Sequence, residues 1–294
     1  MPSFAVSIAT LSLLQAALVA LPWPRAPFAW MPESPWWALM PAGSIVVVVF
    51  GIELLPDSAD ALAWLALAVV PPLAALALGM LVHGSRPVWA LAALPLFAVA
   101  WAAQGSLSGE IAASALSALA CVSLGWLLVS VVPAAWLRWG IYAMAAIDAV
   151  LVAAEILQGP SGVLVSADPG GLPRLQVLEF GAARMGFGDA FLAATLGCLL
   201  AASRLPSPTG LKQGSRRPES ARRQWEAAGL VAVLGLGFDL LFFAFDTLPA
   251  TVPVAVALAL VEWRSRRQAS AGVADERDAV DRGKAGDREG DAQP

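Results

Sequence analysis

The sequence is poor in charged residues. Only 14% of its 294 residues are Asp, Glu, Lys or Arg, whereas soluble domains contain about a quarter. Hydrophobic residues make up 59% of the chain, so we predict that its solvent is lipid. The net charge of -4 comes from a few loops and the C-terminal segment, and it indicates no nucleic-acid partner.

Histidine and cysteine are also scarce, which argues against several kinds of chemistry. The single histidine, His83, stands in a Gly-Ser-Arg loop, so neither a Ser–His triad nor a histidine-based metal site is expected. Cys121 and Cys198 lie far apart in apolar runs, which favours buried hydrophobes over a disulfide or zinc site. We expect no metal and no cofactor, and predict that any chemistry uses carboxylates.

Long apolar segments are abundant by contrast. A membrane-spanning helix needs about 20 mostly apolar residues, and nine segments of the chain are candidates. They are Phe4–Pro22, Pro35–Leu55, Ala59–Val82, Val88–Gln104, Ile111–Val132, Ala134–Leu157, Phe180–Ala202, Ala227–Phe245 and Leu248–Trp263. Because no basic region precedes the first segment, we interpret it as a membrane helix rather than a signal peptide. The sequence therefore predicts an all-α polytopic membrane domain over residues 1–263.

Basic residues predict the orientation of this domain. They cluster between Arg204 and Arg223 and again from Arg264 to Arg267, two regions that nine spans place on one side. Positive loops favour the cytoplasm, so we expect the N-terminus outside and the C-terminus inside. Residues 264–294 have almost no large apolar groups and are predicted to form a disordered, charged cytoplasmic tail. We expect a multi-pass protein of a prokaryotic inner or plasma membrane.

Acidic residues within apolar spans are the candidates for function, because ionisable groups are costly in a bilayer. Asp148 and Asp189 lie on the predicted sixth and seventh spans, which are consecutive and antiparallel. Each is nine residues from the outer end of its span (157 − 148 = 9; 189 − 180 = 9). Both carboxyl groups are therefore predicted at one depth, roughly 13 Å below the outer surface.

Two short motifs accompany these aspartates. Gly186-Phe187-Gly188 precedes Asp189, and glycine allows close approach of backbones or ligands. Pro249-Ala250-Thr251-Val252-Pro253 opens the ninth predicted span, where the prolines leave backbone carbonyls free. Irregular backbone at membrane depth is tolerated only where it is buried in protein or lines a wet cavity.

This combination resembles the GxGD intramembrane aspartyl proteases, the presenilin and signal peptide peptidase family. The resemblance covers about residues 139–263 and the count of nine spans, and the orientation is similar to the signal peptide peptidase branch. It implies that Asp148 and Asp189 are catalytic. It also implies active-site support from Gly186, Phe187, Gly188, Pro249, Ala250 and Thr251. Ile147 stands where the family's first motif has tyrosine, and Thr251 where its Pro-Ala-Leu element has leucine.

The resemblance implies substrates that are transmembrane segments of other proteins or signal peptides, with the lipid bilayer as a partner. Two adjacent carboxyls share one proton, so one can take a proton from water while the other polarises the scissile carbonyl. The β-prone run at residues 162–167 is predicted to pair with an unwound substrate strand. The oligomeric state stays open.

Two alternatives remain at this stage. Residues 185–197 also resemble the second motif of the prepilin peptidases, although Phe191 stands where a lysine is usual. A proton-coupled transporter is the other alternative, with Asp148, Asp189 and Asp239 as a relay. Glu155, seven residues after Asp148, either lines an outward path or lies at the surface.

Overall fold

A computed structural model describes residues 2–25, 27–28, 30–54, 58–154, 170–205, 217–243 and 249–268. Within them the chain is mostly helical. The helices are α1 Phe4–Ala20, α2 Met40–Leu54, α3 Ser58–Leu76, α4 Ala93–Ala102, α5 Leu107–Val131, α6 Ala134–Ala153, α7 Phe187–Ala202, α8 Arg217–Asp239 and α9 over 252–268. The helix α9 thus continues beyond residue 263, into the segment predicted as a tail.

Among the residues that the structure describes, three helical segments are long and apolar enough to cross a membrane. They are Ala59–Leu81, Leu107–Val131 and Ala134–Ala153, and three more apolar helices are shorter. The predicted count of nine spans is therefore not supported. Several predicted spans begin with other structure: short 3-10 turns at Pro35–Leu39 and Pro87–Ala92 precede α2 and α4. Proline at the start of each turn fixes φ and removes a backbone donor, which shortens the α-helical part.

A two-stranded antiparallel hairpin interrupts the all-α prediction. Strand β1 (Val177–Phe180) pairs with β2 (Ala183–Gly186). The turn at Gly181-Ala182 needs a positive φ, and Gly181 supplies it with φ of 59°. The predicted seventh span, Phe180–Ala202, was therefore wrong at its start, because its first seven residues form this hairpin and α7 begins at Phe187.

The hairpin is held by serines of α5. Ser114 Oγ donates to the Glu179 carbonyl at 2.8 Å and accepts from the Glu179 N–H at 2.9 Å. Ser117 Oγ donates to the Leu175 carbonyl at 2.8 Å. The outward backbone groups of Glu179 in β1 are thus satisfied by Ser114, since backbone polar groups buried without partners are costly.

Helix α7 lies between α5 and α1 at very short range. A Cβ added to Gly125 of α5 would lie 3.2 Å from backbone atoms of Ala194 and Thr195. A Cβ added to Gly197 would lie 2.6 Å from the Val19 carbonyl oxygen of α1. These two glycines permit the close packing that fixes α7, the helix whose first turn contains Asp189.

Several helix ends meet at one end of the molecule, which we call the basic end. The Trp23 N–H donates to the Leu81 carbonyl at 2.8 Å, and the Ser34 N–H donates to the Val131 carbonyl at 2.7 Å. Gln224 of α8 donates to the carbonyls of Val19, Ala20 and Pro22 and accepts from Arg204 at 2.5 Å. Exposed tryptophans next to these contacts or on the adjoining helix ends are Trp23, Trp36, Trp89, Trp136, Trp139, Trp225 and Trp263.

Candidate active site

The two aspartates lie at matching distances from the basic end. Asp148 is 14 residues from the start of α6 (148 − 134 = 14), and Asp189 is 13 residues from the end of α7 (202 − 189 = 13). At about 1.5 Å per residue, both are roughly 20 Å along their helices. The earlier count from the outer ends does not apply, because residues 180–186 are not helical and residues 155–157 lie outside the described residues.

The structure brings the two carboxyl groups together. Asp189 lies within Coulombic range of Asp148, and both side chains are half-buried. Two carboxylates within electrostatic range repel each other when both are ionised. The structure thus places the two aspartates near each other, while a shared proton and a catalytic role both stay predictions.

Thr251 is the closest described partner of Asp148. Its hydroxyl donates to Asp148 Oδ2 at 2.6 Å. Thr251 is 1% exposed, so this donor has little access to competing solvent. The position at which the sequence departs from the Pro-Ala-Leu pattern thus supplies a hydrogen bond that leucine could not make.

Helix α9 begins at the depth of the aspartates and runs antiparallel along α6. Arg138 Nε lies 3.3 Å from Glu262 Oε1 near the basic end, and Tyr142 donates to Glu262 at 3.5 Å. Two of the contacts that join these segments are Thr251 with Asp148 and Arg138 with Glu262. The two contacts are 10 residues apart along α6 (148 − 138) and 11 residues apart along the segment that contains α9 (262 − 251). The matching advance shows that the two helices pair over this length.

The residues around Asp189 form the start of α7. Gly186 is the N-cap residue of α7, three positions before Asp189. A Cβ at Gly186 would lie 3.1 Å from Asp189 Oδ2, so a larger residue would crowd this carboxyl group. A Cβ at Gly188 would meet only Met144 Cε of α6, at 3.6 Å. Phe187 is half-buried, and its carbonyl accepts from Cys121 Sγ at 3.8 Å.

The Pro249-Ala250 element is joined to α7 by a residue that sequence reasoning missed. Gln15 Nε2 of α1 donates to the Ala250 carbonyl at 2.9 Å and contacts the Asp189 carbonyl at 3.4 Å. The Pro249 carbonyl accepts from the Val252 N–H at 3.2 Å, since Pro253 has no N–H to offer. The sequence contains one indication of this role: Gln15 is an amide within an apolar helix, and a buried amide needs hydrogen-bond partners.

The other acidic candidates lie elsewhere. Asp239, the last residue of α8, accepts from Ser12 Oγ at 3.0 Å, and no described contact joins it to Asp148 or Asp189. Glu179 pairs with Arg184 at 3.0 Å. Glu155 and the run 162–167 lie outside the described residues. In the part of the chain that the structure describes, no group of three acids, histidines or cysteines could hold a metal ion.

No protein-family model, curated protein or solved structure matches this chain. The assignment of a function therefore depends on the geometry of the two aspartates and their neighbours.

Proposed function

We propose that this protein is an intramembrane aspartyl endopeptidase of the GxGD type. It hydrolyses peptide bonds within transmembrane segments of other membrane proteins or of signal peptides. The observation that supports this proposal most is the meeting of three elements at one depth. Asp148 of α6 lies in Coulombic range of Asp189 of α7, and Thr251, just before α9, donates a 2.6 Å hydrogen bond to Asp148.

The hydrogen bonds suggest separate roles for the two aspartates. The Thr251 hydroxyl donates to Asp148, an arrangement suited to a carboxylate, so Asp148 acts as the base. Asp148 takes a proton from water, and the water oxygen attacks the scissile carbonyl carbon. Asp189 donates the shared proton to the carbonyl oxygen, which gives a gem-diol. Asp148 then protonates the leaving nitrogen, the C–N bond breaks, and a proton returns from the gem-diol to Asp189.

The edge of the hairpin offers a place for the substrate backbone. Phe180 and Ala183 flank a two-residue turn and form the pair that closes the hairpin. In an antiparallel hairpin, hydrogen-bonded and non-hydrogen-bonded pairs alternate. The next pair, Glu179 and Arg184, is therefore non-hydrogen-bonded, and the N–H and C=O of Arg184 face away from β1. Glu179, opposite Arg184, already uses its outward groups on Ser114. An extended substrate can add as a strand to β2 at Arg184. Because Asp189 follows the end of β2 at Gly186 by three residues, such a strand would pass close to the two aspartates. We therefore place substrate pairing at 183–186 rather than at 162–167.

The basic end is proposed to face the cytoplasm. Exposed tryptophans such as Trp136 and Trp139 suit a membrane–water interface, and Arg138 and Arg204 lie at the same end. Three helices have the length and apolar character of membrane spans. A multi-pass arrangement in the cell membrane, with the N-terminus outside, is consistent with both features.

An active-site label tests this proposal in the detergent-solubilised full chain. A photoreactive, hydroxyl-bearing mimic of the gem-diol should label the protein saturably, and Asp148→Asn or Asp189→Asn should abolish the labelling. Asp239→Asn is the matched control, because its described partner is Ser12, and it should retain the label. Labelling that persists in Asp148→Asn and Asp189→Asn, or that is lost equally in Asp239→Asn, would refute the assigned dyad.

A further inference from the structure

Helix α1 carries a set of polar side chains that the proposed reaction does not use. Ser7 Oγ accepts from the Ala182 N–H of the hairpin turn at 3.2 Å. Ser12 Oγ donates to Asp239 of α8 at 3.0 Å. Gln15, one turn further along, contacts both the Asp189 carbonyl and the Ala250 carbonyl. Each residue therefore joins α1 to a different element near the aspartates.

Gln15 is the one of these three that connects two parts of the proposed site. Its side-chain nitrogen carries two hydrogens, and the two carbonyls lie at 2.9 Å and 3.4 Å from it. Gln15 is 2% exposed, so little solvent is available to replace either partner. An amide in such a place is costly unless its donors are used, which ties the rotamer of Gln15 to these two carbonyls.

Packing alone does not hold the part of α6 that carries Asp148. The buried residues of α6 are Leu137, Ile141, Met144 and Ala145, and all of them precede Asp148. The position of Asp148 therefore depends on Thr251, which bonds to it directly. Thr251 follows Ala250 in the chain, and the Ala250 carbonyl is bound by Gln15.

We propose that Gln15 is a positioning residue that sets the separation of the two aspartates. The connection runs from the Asp189 carbonyl through the Gln15 amide to the Ala250 carbonyl, and from the adjacent Thr251 to Asp148. Gln15 does not touch the reacting atoms. This role deepens the proposed function and rests on it for its catalytic consequence, whereas its structural consequence can be measured separately.

The kinetic test compares Gln15→Leu with a control on the same helix. Leucine has a similar size and no donors, so the two carbonyls lose their common partner. We expect kcat for a single-span substrate to fall by about 10- to 100-fold, because small displacements of catalytic groups have effects of this size. KM should stay close to the parent value, since Gln15 lies behind the aspartates. Thr10→Val is the control: Thr10 is partly exposed, and its hydroxyl bonds to Val6 within α1.

A distance measurement tests the positioning role directly. If Gln15 contributed only to packing, its replacement would leave the distance between the start of α7 and α9 unchanged. Spin labels at Arg184→Cys on β2 and Val256→Cys on α9 report the separation of the α7 start from α9, and both sites are exposed. The native Cys121 and Cys198 are buried and remain in place. We expect one narrow distance distribution in the parent, a broader or shifted one in Gln15→Leu, and no change in Thr10→Val.

The two readouts separate this inference from the proposed function. A lower kcat together with a broadened distribution in Gln15→Leu supports the positioning role. If the parent cleaves nothing and the distribution still broadens, the protease assignment fails and the positioning role stands. If Gln15→Leu keeps the parent distribution and kcat per folded molecule, even with a lower unfolding temperature, Gln15 is only a packing residue and the inference is overturned.

Discussion

A single hydroxyl group distinguishes the surroundings of Asp148 from those of Asp189. Thr251 donates to Asp148 at 2.6 Å and is almost fully buried, whereas no described side chain donates to the Asp189 carboxyl group. A threonine in this place gives Asp148 a fixed orientation as well as a donor. The proposed role of Asp148 as base depends on this bond.

Thr251→Val removes that hydroxyl and keeps the shape of the side chain. A hydrogen bond to a charged group contributes about 1.5–3 kcal/mol, and about 1.4 kcal/mol corresponds to a tenfold change in rate. We therefore expect kcat for cleavage of a single-span substrate to fall by about 10- to 100-fold. Thr251→Ser is the control and should keep most of the activity. Equal kcat values for the valine and serine variants would show that the hydroxyl has no part in the reaction.

The residues of the site differ in how far the sequence could predict them. Acids are rare in apolar spans, so Asp148 and Asp189 stand out, and Pro249 and Pro253 mark an interrupted helix. Gln15 does not stand out in this way, because its partners are 174 and 235 positions away in the chain. Only the packing of α1 against α7 brings these groups together. The hydrogen bond of Thr251 likewise follows from the antiparallel pairing of α6 and α9.

At the scale of elements, the position of Asp189 depends on tight packing of α7. Gly197 has no room for a side chain, since an added Cβ would lie 2.6 Å from the Val19 carbonyl oxygen and 2.8 Å from that of Leu18. Both are backbone atoms of α1, which cannot move aside as the end of a flexible side chain would. The same helix, α1, carries Gln15.

Gly197→Ala is expected to push α1 and α7 apart. Overpacking of this kind typically costs about 1–3 kcal/mol of folding free energy, and the shift would also separate Gln15 from Asp189. We expect a lower unfolding temperature in detergent and a loss of active-site labelling. Gly229→Ala on α8 is the matched control, because nothing lies within 4 Å of its added Cβ. An alanine at 197 that leaves the unfolding temperature unchanged would be incompatible with this packing.

The hairpin makes a separate prediction about substrate binding. Arg184→Pro removes the outward N–H of β2, while Arg184→Ala removes only the side chain and its pair with Glu179. If the substrate adds to this edge, the proline variant should lose cleavage of a transmembrane substrate and keep labelling by a small active-site probe. The alanine variant should keep both. Cleavage at the parent rate in the proline variant would rule out strand addition at Arg184.

The elements were predicted less well than the acids. The hairpin at 177–186 was not predicted, because its strands Val177–Phe180 and Ala183–Gly186 are too short to be told from helix by apolar content. It is stabilised by Ser114 and Ser117 of α5, whose contacts depend on the fold. The long runs of α5 and α6 were predicted close to their bounds, since length and composition alone indicate such spans.

Most of the described arginines lie at one end of the whole molecule, whereas Arg174 and Arg184 lie at the hairpin. Exposed tryptophans occur at both ends, with Trp64 and Trp101 away from the basic end. Arg138, Arg204, Trp136 and Trp263 lie at the basic end, and the loop between α4 and α5 lies at the other. Positive residues favour the cytoplasmic side, and on this basis we propose that the basic end faces the cytoplasm. Helix α9 begins at the depth of the aspartates, so we expect this non-helical start to lie within the membrane.

A labelling experiment in intact cells tests this orientation. A membrane-impermeant maleimide should react with Ser108→Cys at the start of α5, because this exposed position is expected outside. The reagent should reach Arg264→Cys on α9 only after the cells are opened. The reverse pattern would place the basic end outside and would invert the proposed substrate orientation.

The reaction itself is the central claim for the whole molecule. The most direct measurement is mass spectrometry of a single-span peptide after incubation with the full chain in lipid vesicles. We predict two fragments that share one cut within the apolar segment, with no fragments from Asp148→Asn or Asp189→Asn and full activity in Asp239→Asn. An intact substrate with the parent protein in a series of single-span peptides, or the same fragments from Asp189→Asn, would contradict the account.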